Sequence, residues 1–126
     1  MSVKFNVVER GKPGDPEAPT KFYPSIISSG RIDERGVAEK IALISTASTA
    51  DIMASVEGLL LTIPQELAAG HIVELGDFGS FWLRTTAEGA DSAEAVRATQ
   101  IKTLLPRFYP GKEFRKILAS IVFEKL

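Results

Sequence analysis

No cysteine occurs anywhere in the 126 residues. Disulfides, thiolate nucleophiles and cysteine-based zinc sites are therefore excluded. The absence is compatible with a reducing compartment. Histidine occurs once, at His71. The hydroxyl residues Ser48, Thr49 and Ser80 have no histidine partner signalled nearby. Nucleophilic or acid–base catalysis needs a positioned pair, so no catalytic residue and no enzymatic activity are expected. Glu74 and Asp77 flank a turn, but two carboxylates make a poor cation site, and no metal or other cofactor is expected. Long apolar runs are also missing. Leu59–Pro64 is the longest, far short of the ~20 residues a membrane span needs. The opening Met1-Ser-Val-Lys-Phe-Asn-Val-Val-Glu-Arg10 has no apolar signal-peptide core. Neither a membrane nor a small-molecule substrate is expected as a partner.

An excess of positive charge is absent too. The net charge of −1 gives no bulk attraction to a polyanion. The distribution is uneven, however. Residues 1–96 hold 8 basic and 14 acidic side chains, net −6, whereas residues 97–126 hold 7 basic and 2 acidic, net +5. A cationic patch near the C-terminus of an otherwise acidic body is the expected result.

Length and the balance of 44% hydrophobic to 25% charged residues point to one globular domain. Residues 3–9 read as a strand. The next nine residues, 11–19, hold three prolines and two glycines and read as a loop. Residues 21–28 read as an edge strand, because Pro24 cannot donate to a ladder. Residues 31–45 read as a short helix, with Val37, Ile41 and Ile44 on one stripe and Asp33 as its cap. Ser48, followed by Asp51, opens a second helix of about 20 residues carrying Ile52, Val56, Leu59, Ile63 and Leu67. Gly70 sits where a C′ glycine would end it. Residues 72–75, 81–85 and 100–105 read as strands. Residues 86–98 are small and polar and suit an extended arm tip. Residues 112–120 read as a last helix, and 121–125 as a closing strand able to pair with residues 3–9.

Two segments stand out. Val73-Glu-Leu-Gly-Asp-Phe-Gly-Ser-Phe81 sets a strand, a glycine turn with an embedded phenylalanine, and a second strand in order. Pro106-Arg-Phe-Tyr-Pro-Gly-Lys112 ends a strand and opens a helix. Shorter words accompany them: Val37-Ala-Glu-Lys40, Ser48-Thr-Ala-Asp51 and Ala69-Gly-His-Ile-Val73. In this order the segments resemble the HU/IHF class of bacterial DNA-bending proteins over residues 31–120. The leading Val-Lys-Phe strand, the loop Gly14-Asp-Pro-Glu-Ala-Pro19 and the closing Val122-Phe-Glu-Lys125 resemble the longer HU-like proteins of Bacteroides-type bacteria, which add an N-terminal hairpin.

The resemblance implies an α+β fold: a helical pair, a β-saddle and a protruding β-arm, with extra N- and C-terminal strands. It implies residues 1–30 as a hairpin extension packed on an HU-like domain of residues 31–126. It also implies an intertwined homodimer. By residue type alone, Phe78, Phe81 and Phe108 fill either a monomer core or a core shared by two copies; the family implies the shared one. DNA contacts would fall on Arg84, Arg97, Lys102, Arg107, Lys112, Arg115 and Lys116. The partner would be double-stranded DNA, held mainly through phosphates with low sequence specificity, in a cytoplasmic nucleoid. The start of the last helix at Lys112 offers free amides to a phosphate.

The chain departs from the family pattern at the arm. Residues 84–102 carry three basic and three acidic side chains, and no proline lies between Pro64 and Pro106. The wedge that such arms insert between base pairs is therefore missing. That supports an alternative, an HU-fold dimerisation or protein-interaction module that has lost most DNA binding.

Overall fold

The computed structural model describes residues 1–126, which fall into two compact units, residues 1–33 with 117–126 and residues 34–116. The first unit is a three-stranded sheet. Strands β1 (Ser2–Arg10) and β2 (Lys21–Ile26) form the expected hairpin, antiparallel with Phe5 opposite Ile26 and Val7 opposite Pro24. The closing strand β6 (Val122–Lys125) pairs with β1 in parallel, Val3 level with Phe123. The sheet order is β2-β1-β6. Pro24 thus lies on an edge strand, where its missing donor costs no ladder bond. The intervening loop is tied by the Thr20 hydroxyl donating to Glu9 and by the Glu17 amide donating to Asp15 at 3.1 Å.

The second unit opens with α1 (Glu34–Ala42) and α2 (Thr49–Ala68). Helix α1 is shorter than its apolar pattern predicts. Beyond Ala42 the chain turns through three-residue hydrogen bonds, Ile44 amide to Ile41 carbonyl at 3.0 Å, and Ile44 is left 87% exposed. Ser48 caps α2 as its sequence predicts, its hydroxyl accepting the Asp51 amide at 3.2 Å. The helix runs on through Pro64. It ends at Gly70, whose φ of +90° is open to glycine without strain. There the Gly70 amide bonds the Leu67 carbonyl and the His71 amide bonds the Glu66 carbonyl, both at 3.0 Å, closing a Schellman motif.

The chain then enters the second sheet, order β3-β4-β5: β3 (Val73–Glu74), β4 (Gly79–Ala87) and β5 (Ile101–Pro110). Strands β4 and β5 make the arm. Strand β5 continues through Pro106 and Pro110 because its outer side is a sheet edge. Helix α3 (Lys112–Leu118) follows at once. The tip is compact rather than extended, with short 3₁₀ turns at Ala93–Ala95 and Ala98–Gln100.

Very little of this is buried. Among apolar side chains only Ala38, Ile52 and Leu67 are out of solvent, and no large side chain is fully enclosed. Leu43 and Ile44, just after α1, and Leu59, Leu60 and Leu61 of α2 lie open. Helix α2 is not long and apolar enough to cross a membrane, and neither is any other helix.

Candidate nucleic-acid interface

The two outstanding sequence segments meet at the root of the arm. The turn after β3 places Gly76 at φ +56° and Gly79 at φ +148°. The Leu75 amide bonds the Gly79 carbonyl at 2.9 Å and the Phe78 amide returns to Leu75 at 3.1 Å. Gly111 lies against this turn, its amide bonding the Phe78 carbonyl at 2.8 Å. A β-carbon on Gly111 would come within 2.3 Å of the Asp77 carbonyl oxygen, and one on Gly79 within 2.4 Å of the Tyr109 oxygen. Both glycines are therefore demanded by close backbone approach, which the sequence shows only as a pair of turn signals.

The pairing of β4 with β5 sorts the arm into two faces. Phe81 faces Phe108 and Leu83 faces Pro106 on one side. Trp82 faces Arg107, Arg84 faces Leu105 and Ser80 faces Tyr109 on the other. On the first side the rings cluster: Phe81 to Phe108 at 4.8 Å and Phe78 to Phe108 at 5.4 Å between centroids. The structure adds Phe114 of α3, 5.3 Å from both Phe78 and Phe108. Its spacing from Lys112 shows that it faces inward, but not that it completes a ring cluster with the arm. Phe78 is still about half exposed.

The second side carries the cations. Arg84 and Arg107 are diagonal neighbours across the ladder, a spacing of roughly 7–8 Å between backbones. Both are exposed, and neither has an acidic partner. Two residues along, Tyr109 shares their face and is covered by the Arg115 guanidinium, 5.7 Å from the ring centre. Arg115 thereby joins α3 to the cationic face. Lys112 and Lys116 are also exposed and unpaired. Helix α3 has only seven residues, so side-chain charge rather than a long helix dipole dominates there. Trp82, half-buried on this side, lines with Leu67, His71 and Leu83 a cleft of about 180 Å³ at the end of α2.

The remaining two cations lie elsewhere and are engaged. A bulge between Thr86 and Ala87 leaves Lys102 outside the regular pairing. Its ammonium sits 3.2 Å from the Glu88 carboxylate. Arg97 turns back on the tip and donates to the carbonyls of Glu94 and Val96 at 2.5 and 2.9 Å. Gln100 accepts the Arg97 amide at 2.5 Å and donates to the Glu88 carbonyl at 3.0 Å. The seven cations expected from sequence thus fall into three groups: Arg84 with Arg107 on the arm face, Lys112, Arg115 and Lys116 on α3, and Arg97 with Lys102 at the tip. His71 donates from Nδ1 to the Glu66 carboxylate at 2.7 Å on the surface. No cluster of three or more metal-ligating side chains occurs.

Comparison with known proteins gives the fold a family. The model of HU-HIG, described as an HU domain fused to wHTH, Ig or glycine-rich motif, matches residues 1–125. A crystal structure named as a candidate bacterial DNA-binding protein from Bacteroides vulgatus ATCC 8482 superposes with a TM-score of 0.68 at 13% identity, over 99% of this chain and 48% of that one. The chain thus spans about half the length of that protein. An Anabaena HU–DNA cocrystal structure superposes with a TM-score of 0.55 at 23% identity, over 71% of this chain and 99% of the other. No curated protein matches. These likenesses show the α+β HU-like fold that the arm and helical pair predict.

Proposed function

We propose, because this chain belongs to the HU-HIG family of HU domains, that it binds duplex DNA as a homodimer. Binding is mainly to phosphates, with low sequence preference, in a nucleoid and without chemistry on the DNA. Residues 31–126 act as the HU-like domain and residues 1–30 as its hairpin extension. The observation that carries this reading is the arm's division into an aromatic face and a face bearing Arg84 and Arg107, unpaired and joined to α3 through Arg115 on Tyr109. The named relatives, an HU–DNA cocrystal and a candidate DNA-binding protein, agree with it.

Surface area supports the homodimer. The single chain exposes 10374 Å², whereas its two units as separate compact bodies would expose only about 8,000 Å². The excess, on the order of 2,000 Å², is what one partner of an obligate interface contributes. Its sources in residues 34–116 are the open leucines of α2, the half-exposed Phe78 and a groove of about 350 Å³ between α1 and α2, lined by Ile41, Ile52, Val56 and Leu59. Phe78, Phe81 and Phe108, with Phe114, would meet their counterparts at the shared core.

The test is fluorescence anisotropy of random-sequence duplex against salt, beside a mass measurement in solution. Five cations per copy without an acidic partner, Arg84, Arg107, Lys112, Arg115 and Lys116, give a log–log salt slope between about −4.5 with half engaged and −9 with all engaged in a dimer. Absence of binding at micromolar protein and low salt sinks the DNA reading. The second reading, a dimerisation or protein-interaction module, is favoured by the arm tip. There Lys102 is neutralised by Glu88, Arg97 is turned inward, and no proline is present. A stable dimer that leaves DNA untouched would establish it.

A further inference from the structure

The N-terminal sheet has an apolar face that the single chain leaves open to solvent. The register places Phe5 and Val7 of β1, Phe22, Pro24 and Ile26 of β2 and Phe123 of β6 on one side. Four of them, Phe5, Pro24, Ile26 and Phe123, line an almost wholly apolar groove of about 400 Å³. Phe22 and Ile26 are each 68% exposed and Phe123 59%. The opposite side carries Lys4, Asn6, Arg10, Lys21 and Glu124 among Val8, Tyr23 and Val122, so the first face is the more apolar of the two.

We infer that a second copy covers it, two such sheets stacking face to face with their β1 strands antiparallel and Val7 on the two-fold axis. Three observations select this occupant. The first is charge. The only ionisable residues among the paired positions of this face are Glu9 and Lys125. Lys125 is level with Phe5, and Glu9 lies four residues further along β1. A two-fold at Val7 exchanges those two levels and brings Glu9 of each copy beside Lys125 of the other. The second is area. The open apolar side chains amount to on the order of 500 Å² per copy at ordinary aromatic and aliphatic sizes. The pair then buries about 1,000 Å², the lower bound for a specific interface and the range of a reversible one. The third is the edge. Pro24 blocks strand addition along β2 and the other edge offers only the four-residue β6, so the face is the larger surface open to a second copy. This surface lies in the first unit and the saddle in the second. A dimer closed through residues 34–116 would carry two such faces, and their pairing takes assembly beyond two copies.

The test uses the full chain in sedimentation velocity over a range of concentrations. The expected result is a mass growing beyond two copies. Glu9→Lys and Lys125→Glu should each weaken that growth about tenfold, by placing like charges together at both ends of the contact, and the double exchange should restore it. Glu9→Lys also removes the bond from Thr20, so its fold is checked by circular dichroism, and Lys125→Glu, which touches no such tie, is the independent variant. Wild-type mass that stops at two copies and ignores either single change overturns this inference and leaves the saddle dimer intact. Growth that persists unchanged in both single variants also overturns it. Single variants that fall to monomers support it and overturn the saddle dimer instead. A wild-type chain that is monomeric throughout refutes both.

Discussion

Replacing Gly111 by alanine tests the contact on which the arm root depends. The new methyl would lie 2.3 Å from the Asp77 carbonyl oxygen, 2.6 Å from its carbon and 3.0 Å from the Gly79 nitrogen. All three are backbone atoms, so no side chain can swing aside. Relief requires the two segments to part by about 1 Å, set against ordinary contact distances. Such overpacking costs about 1–3 kcal/mol. The Gly111 amide to Phe78 carbonyl bond of 2.8 Å spans the same gap, and its loss adds about 0.5–1.5 kcal/mol. The total is about 2–4 kcal/mol, or about 10 °C in melting temperature for a chain of this size. The assay is thermal and urea unfolding at fixed protein concentration, since a dimer's midpoint depends on concentration. Gly89 is the control. Nothing lies within 4 Å of its added β-carbon and its φ is not positive, so Gly89→Ala should be neutral or stabilise by about 0.4–1 kcal/mol. A Gly111→Ala midpoint within about 2 °C of wild type would mean that the two segments are not held in this close approach.

Further outcomes follow from the site. Arg107→Ala and Arg84→Ala should each flatten the salt slope of DNA binding by about 1.8, two phosphates per dimer, with equal loss on unrelated sequences; an anisotropy titration showing a base-dependent loss would count against phosphate contact. Glu88→Gln should tighten DNA binding and steepen the slope, because it removes a tip charge and releases Lys102; unchanged affinity would mean the tip stays clear of DNA. Ser48→Ala should destabilise by about 1 kcal/mol in urea with an unchanged m-value, through loss of the α2 cap.

Much of the architecture is legible in the residues because it is local. Ser48 and Gly70 announce the ends of α2 through capping chemistry that needs only neighbouring atoms. Pro24 marks an edge strand for the same reason. Alternation in residues 3–9 and 121–125 reveals two strands that do pair, although only the fold shows them parallel. What stays hidden depends on distant partners. Ile44 fits the stripe of α1, yet the helix stops at Ala42, because an unburied stripe gains too little to prolong it. The tip reads as extended from its small residues, whereas Arg97 and Gln100 fold it through side-chain bonds to carbonyls. Composition likewise presents Lys102 and Arg97 as equal to Arg84 and Arg107. Only the bulge and the register separate the engaged cations from the free ones.

The bulge also divides the arm mechanically. Below it, the glycine contact with Asp77 and the four clustered rings, packed tilted and edge to face, clamp the ribbon to α3. Beyond Thr86 and Ala87 the strands carry no such anchorage. The arm is therefore anchored at its root and holds its tip by local bonds alone, and on the DNA-binding reading the cationic root would keep its spacing whatever the curvature of the duplex met at the tip.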